Sequence, residues 1–544
     1  MATTRDNVIR SAGLIALLTL VSRLLGIVRD MVCAAVFGAG VAWDAFSFAF
    51  RVPNLFRRLF GEGALSAAFM PLFAEKLESP DDQQARRFAG RVAGVLVLVL
   101  IAVVVVGEAV LLVLRQCSSP GPRWQLALQL TAILLPYALF ICMTALAGAV
   151  LNALGHFAAP AAAPVLLNAV WIAALLAVAG RAVSDPMRHV YVLAAAVLLA
   201  GVLQLSLQLA VLRRRGFACA LSFSPRHPEV RRVARAMAPV ALGLAAFQLN
   251  ALLDGVIAIS LAAPPGRTTF GLMGATLPYP MQVGANSVLY YANRLTQFPL
   301  GVFGVALGTA IFPALSRQAA AGQRRQFAAS VVDGLGLALF IALPAGVGLM
   351  LLGRPAVELL FERGRFAPPM TARTAACVLA YSSALWAYCA QHVLVRAFYS
   401  LKLYATPARV AGAMVAVNLA LNLVLVWPLG EAGLAAATAV SASMQTVVLA
   451  RLLHGRIALP RLDRLAVEIG RTGIATAGMA AICWGVLQSL PQSAGLSVRV
   501  ARVLLPAVAG VVTYIGLAAV LCSRELRHVM DQLRRSGGAT PPNP

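Results

Sequence analysis

Apolar residues come along this chain in long, nearly unbroken runs, not in the spaced stripes of a soluble helix. Runs of mostly Ala, Val, Leu, Ile and Phe cover approximately 10–36, 41–75, 88–115, 124–152, 159–180, 187–212 and 230–262. Others cover 283–317, 327–352, 371–403, 407–428, 432–454, 466–490 and 497–522, with charged or Pro/Gly-rich breaks between them. A helix of about 20 apolar residues crosses the hydrocarbon of a bilayer. The pattern therefore predicts an all-α polytopic membrane protein with about 14 transmembrane helices. The first run follows Arg5 and Arg10 as a signal peptide would, but no small-residue cleavage site follows it, so it reads as a retained helix.

Composition agrees. Of 544 residues, 60% are hydrophobic and 12% charged, with a mean hydropathy of +0.82; soluble domains carry about 25% charged residues. The net charge of +25 would suggest nucleic acid in a soluble chain. Here it reads as basic loops that orient helices, and no nucleic-acid partner is expected. All the basic residues except Lys76 and Lys402 are arginine. With both termini placed on one side, the segments on that side hold 26 of the 45 Lys and Arg, including Arg213–Arg215, Arg231–Arg232, Arg324–Arg325 and Arg534–Arg535. The opposite loops hold 11. The positive-inside rule puts both termini in the cytoplasm. The eight cysteines show no CxxC pair and fall mostly in apolar runs, and the six histidines lack ligand spacing, so no metal site and no disulfide framework is expected.

The remaining eight basic residues lie inside the spans: Arg23, Arg29, Arg51, Arg57, Arg58, Arg294, Arg396 and Arg471. A charge at the bilayer centre costs at least ~2.5–3.5 kcal/mol, so such groups face a polar cavity, meet a partner or reach toward an interface. Five fall between Ser22 and Phe73, where cations outnumber acids. Asp44, Arg51, Arg58 and Glu62 are spaced 7, 7 and 4 apart, which stacks them on one helical face. That face is expected to line an aqueous cavity, with Gly26, Pro53-Asn54 and Gly61-Glu62-Gly63 as breakpoints. Arg294 sits in a run without any acidic residue. Together these arginines suggest a cationic pocket, drawn from both halves of the chain, for a multiply charged anion such as a pyrophosphate. No phosphate-loop motif, voltage-sensor ladder or catalytic triad is found, so a secondary transporter or flippase ranks ahead of an enzyme.

The stretch Ser22–Phe73 resembles the opening motif of the MurJ/MviN lipid II flippases. GAVLNALGHFAAPAAAPVLLN (148–168), YYANRLTQFPLGVFGVALGTAIFPALS (290–316) and AFYSLKLYATP (397–407) agree in order and spacing. The family belongs to the MOP (multidrug/oligosaccharidyl-lipid/polysaccharide) exporter superfamily. The resemblance implies an N-lobe of helices 1–6 (residues 1–215) and a C-lobe of helices 7–12 (216–455) around a central cavity. It also implies two additional helices (456–523) and a cytoplasmic tail (524–544). By the same resemblance the chain, a monomer of the bacterial cytoplasmic membrane among its phospholipids, moves lipid II between leaflets by alternating access. The substrate residues carried over are Ser22, Arg23, Arg29, Arg51, Asp44, Glu62 and Arg294. A candidate sodium site, the only cofactor implied, comprises Asp254, Asn418, Asn422 and Thr438. Two departures stand out: Asn293 and Gln297 replace acids common in relatives, and Asn422 replaces an expected Asp. Export of another polyprenyl-pyrophosphate-linked saccharide, or a lipid-binding scaffold of wall synthesis, are the alternatives.

Overall fold

The computed structural model describes residues 2–521 apart from 62–63, 80, 118–120, 180–184, 265, 273–274, 458, 461 and 493–494. It is almost wholly helical, and each of the fourteen apolar runs is helix. In order these are α1 (Ala2–Phe37), α2 (Val41–Phe56), α3 (Ala64–Leu77), α4 (Asp82–Cys117), α5 (Pro122–Leu134), α6 (Tyr137–Ala153), α7 (Ala158–Ala179), α8 (Pro186–Arg214) and α9 (Pro228–Ser260). A two-stranded antiparallel hairpin follows, β1 (Thr269–Leu272) with β2 (Ala275–Pro278), in which Thr269 pairs with Pro278. Then come α10 (Ala285–Pro299), α11 (Val305–Ala320), α12 (Arg324–Leu360), α13 (Pro368–Ser382), α14 (Leu385–Ser400), α15 (Ala405–Leu429), α16 (Glu431–Ile457), α17 (Leu462–Ser489) and α18 (Leu496–Val520).

Among the described residues, ten helical stretches are long and apolar enough to cross a membrane, or eleven if the bent pair α13–α14 is one span. The expected count of fourteen is therefore not reached on length and apolarity. The three runs outside it, in α1, α2–α3 and α9, carry Arg29, Asp44, Arg51 and Asp254. Four runs are two helices in tandem. The second and eighth break alike: α2 holds Pro53 and passes through a π turn at Arg57–Gly61 into α3, and α10 ends on Pro299 and passes through a π turn at Leu300–Gly304 into α11. Proline removes an intrahelical donor, and π turns concentrate at functional sites. The expected break at Gly26 is not seen. α1 runs unbroken through it, and Asn168 of α7 packs beside it, where a Cβ would make only an ordinary contact at 3.8 Å from its Nδ2.

The chain divides into two compact units, residues 1–287 with 363–366, and 288–362 with 367–544. In the first, α1 packs on α7, α7 on α8, α2 on α5 and α9, and α3 on α9. Stacked rings of Phe37, Trp43 and Phe46 line α2 and meet Trp171 of α7 edge-on. In the second, α12 is the hub for α13, α14, α17 and α18, and α15 pairs with α16. Buried Val331, Val393, Leu394, Phe398 and Leu449 form its core.

One polar cluster joins α3, α4 and α9. Glu229 in the first turn of α9 pairs with Lys76 (3.0 Å) and Arg91 (2.9 Å). Burial pushes its carboxyl up, but hydrogen bonds and charge from Lys76 and Arg91 outweigh that and hold it below the usual range. A depressed carboxyl stabilises fully above its unfolded pKa, and that stabilisation is lost as pH falls through the folded one. Glu229→Gln is expected to cost about 1 kcal/mol at neutral pH. It should also remove part of the acid dependence, as read by thermal unfolding between neutral and acid pH.

Candidate functional site

In the first unit Arg29 is buried (7% exposed) beside Asp30 (5%). Its Nε and Nη2 both donate to Asp30 Oδ1, at 3.0 and 2.8 Å, and its Nη1 donates to Asn168 Oδ1 at 3.1 Å. The guanidinium lies over the Trp171 ring, 4.7 Å from its centroid. Asn168 Nδ2 in turn donates to the Ser22 carbonyl oxygen at 3.0 Å. Arg29 is thus a clamp between α1 and α7, its charge balanced within the unit and its plane stacked on an indole. Ser22 takes part through its backbone. Arg23, one residue on, is exposed, and among the described residues it has no ion-pair partner.

Asp44 was expected on a face open to water, but it is buried (3% exposed). One of its carboxylate oxygens accepts from Ser287 N (2.7 Å) and Ser287 Oγ (2.6 Å), the other from Gly284 N (2.8 Å). Asn286 Nδ2 donates to the Asp44 carbonyl oxygen (2.9 Å) and to Ser47 Oγ (2.8 Å). Asp44 therefore caps the first turn of α10, whose free N–H groups and positive dipole end favour a carboxylate. Gly284 makes this possible: its φ is +89°, and a Cβ there would lie 2.1 Å from the Ala39 carbonyl oxygen. Sequence spacing gave no hint of these partners, although Asn286-Ser287 after Gly284 is a helix-start signal.

Arg51 donates from Nη1 to the Ala251 carbonyl oxygen of α9 at 3.0 Å. Gly255 leaves it room, since a Cβ there would lie 2.9 Å from that nitrogen. Asp254, next to Gly255, is buried. Arg57 donates to Asn54 Oδ1 at 2.9 Å and is half-buried, as is Arg58. Glu62 lies outside the described residues. The loop Arg363–Phe366 also belongs to this unit: Arg365 N donates to the Ala35 carbonyl oxygen at 2.9 Å, so Arg363 and Arg365 join the end of α1.

In the second unit Arg294, half-buried on α10, donates to the Tyr290 hydroxyl oxygen (3.0 Å) and lies 4.9 Å from that ring's centroid. Asn293 and Gln297 hydrogen-bond to each other at 2.6 Å. The candidate sodium residues divide. Asn418, Asn422 and Thr438 come together between α15 and α16, with Asn422 Nδ2 on Asn418 Oδ1 (2.9 Å) and Asn418 Nδ2 on Thr438 Oγ1 (3.4 Å) and Ser441 Oγ (3.3 Å). Asp254 belongs to the other unit. Among the described residues no group of three His, Cys, Asp or Glu side chains could hold a metal.

Comparison with known proteins matches residues 33–504 to the family model for the lipid II flippase MurJ. A probable lipid II flippase MurJ of Vibrio cholerae is 35% identical over 465 residues, 83% of this chain and 84% of its own length. One from Bdellovibrio bacteriovorus is 32% identical over 539 residues, 98% of this chain and 97% of its own. Among solved structures, a lipid II flippase MurJ in an inward closed conformation superposes with a TM-score of 0.74 at 22% identity, covering 93% of this chain and 98% of its own. An inward-facing multidrug resistance MATE transporter of the MOP superfamily gives 0.64 at 16%, covering 81% and 96%. The all-helical transporter architecture expected from the apolar runs is that of these proteins.

Proposed function

Because the chain belongs to the lipid II flippase MurJ family, we propose that it carries lipid II across the bacterial cytoplasmic membrane, with both termini in the cytoplasm. The family match over most of the chain is the observation that carries this reading. Lipid II presents a pyrophosphate between a prenyl chain and a sugar-peptide headgroup, and intramembrane arginine is suited to it: always ionised, with a fork that fits phosphate oxygens. The roles divide by what each arginine already touches. Arg23, exposed and without an ion partner among the described residues, is a primary phosphate ligand; Arg294, held by Tyr290, is a second. Arg51, anchored to the Ala251 carbonyl oxygen of α9, is a further cation for the same anion. Arg29, committed to Asp30 and Asn168, acts as a positioning residue that fixes α1 so that Arg23 is presented.

This division is testable. Arg23→Ala and Arg294→Ala are each expected to weaken lipid II retention about tenfold or more, the loss of one charge-assisted contact. Both should leave the unfolding temperature near that of the parent. Native mass spectrometry of the purified chain with lipid II reads the first quantity, and flipping in proteoliposomes reads the transport that follows from it. Unchanged retention in both variants, with normal folding, would overturn the pyrophosphate assignment. Retention of other polyprenyl-pyrophosphate saccharides as strong as that of lipid II would favour a broader exporter.

A further inference from the structure

The second unit holds a cavity of about 520 Å³ that the flippase reading does not use. It lies beside the 40° bend between α13 and α14, where Ser383 and Trp386 form one wall, and α16 forms the other with Val440, Met444, Val447 and Arg451. Those four α16 positions are spaced 4, 3 and 4 apart and form a single stripe. The three apolar ones are 42–43% exposed, and Arg451 is exposed too. The hydroxyls of Ser383 and of Ser443, which also lines the cavity, donate to the Ala380 and Ala439 carbonyl oxygens, so the wall between the bend and Arg451 presents mainly apolar surface. On the other side of α16, Gln391 Nε2 donates to the Ala442 carbonyl oxygen (2.8 Å) and Thr446 Oγ1 to the Ala387 carbonyl oxygen (3.1 Å), which fixes the two walls against each other.

We propose that this groove binds one phospholipid, its acyl chain along the Val440–Val447 stripe and its phosphodiester on Arg451. Three observations select that occupant. α16 is a membrane-crossing helix, so what reaches its exposed stripe is lipid. From Val440 to Arg451 the helix rises about 16 Å, close to the ~15 Å of hydrocarbon in one leaflet. A chain seated there has its head at the interface and its tip at the α13–α14 bend. The single cation at the open end, without an ion partner among the described residues, matches the single charge of a phosphodiester better than a pyrophosphate. The site rests on the membrane-spanning reading of α16 and not on lipid II transport.

The test uses the full chain reconstituted in bilayers with phosphatidylglycerol bearing a photoreactive group on its acyl chain, with adducts mapped by peptide mass spectrometry. Adducts should concentrate on Trp386 and Met444. Arg451→Gln should lower them about fivefold, the effect of one interfacial cation. Val447→Trp, which fills the groove, should abolish them while leaving lipid II flipping intact. Adducts no denser there than on the exposed Val105–Val106 face of α4 would overturn the proposal. So would adducts that both variants leave unchanged, or that added lipid II displaces, because the occupant would then be the substrate's own chain.

Discussion

Arg29→Ala is expected to destabilise the first unit by about 3–5 kcal/mol, because it removes the guanidinium that pairs with the buried Asp30 carboxylate. The prediction turns on where the guanidinium sits. Both Arg29 and Asp30 are almost wholly buried, Asp30 Oδ1 accepts two of the arginine's bonds, and Asn168 and Trp171 complete the cage. The double variant Arg29→Ala/Asp30→Ala removes both charges together and should recover much of the lost stability, leaving the cost of a cavity over Trp171. Thermal unfolding of the purified protein checks the first half. The second half is functional: the double variant should fold and still flip lipid II poorly, because α1 loses the anchor that presents Arg23. Full transport by a stably folded double variant would assign Arg29 to stability alone. A single variant as stable as the parent would show that Asp30 reaches solvent or another cation.

Apolar run length carried most of the architecture, since about 20 apolar residues have few fates other than a membrane helix. The cost of intramembrane arginine likewise singles out α1, α2 and α10 from the sequence. The partners could not be read in the same way. Helical spacing reveals which residues share a face but not what that face meets, and Arg29 finds Asn168 139 positions away while Asp44 finds Ser287 243 positions away. Hence Asp44, aligned by spacing with Arg51 and Arg58, was expected to face water and is instead buried as a cap. Gly26 failed as a breakpoint for a related reason: glycine permits a bend but does not impose one, and α1 continues unbroken through it against α7.

On the proposed reading, two of the predicted site residues work one step away from substrate. Arg29 and Asp44 are both buried and hydrogen-bonded within the first unit, whereas Arg23 is exposed. Burial and hydrogen bonding hold the first two in one geometry, and a group so held supports its neighbours more readily than it exchanges partners with a passing anion. The two π turns, at Arg57–Gly61 and Leu300–Gly304, fall just beyond the charged stretches of α2 and α10. Both helices thus combine a rigid polar segment with a local weak point, as expected of discontinuous transporter helices.

Asp44→Asn tests the cap directly and carries the second large effect. The carboxylate accepts from two backbone N–H groups and one hydroxyl, and every one of those donors needs an acceptor. An amide supplies one oxygen, and its nitrogen turns a donor toward either Gly284 N or Ser287 N, so at least one buried N–H loses its partner. Loss of a charge-assisted bond to a buried donor, with loss of the favourable dipole contact, is expected to cost about 3 kcal/mol, roughly a hundredfold in local opening. Hydrogen exchange at Gly284 and Ser287 should accelerate by about that factor in Asp44→Asn, while amides in the middle of α12 remain protected. Ser287→Ala removes only the hydroxyl and should cost about 1 kcal/mol. The cap also fixes the start of the helix that carries Arg294, so transport should fall more in Asp44→Asn than in Ser287→Ala. Equal exchange rates in the parent and Asp44→Asn would mean that α10 finds its cap elsewhere.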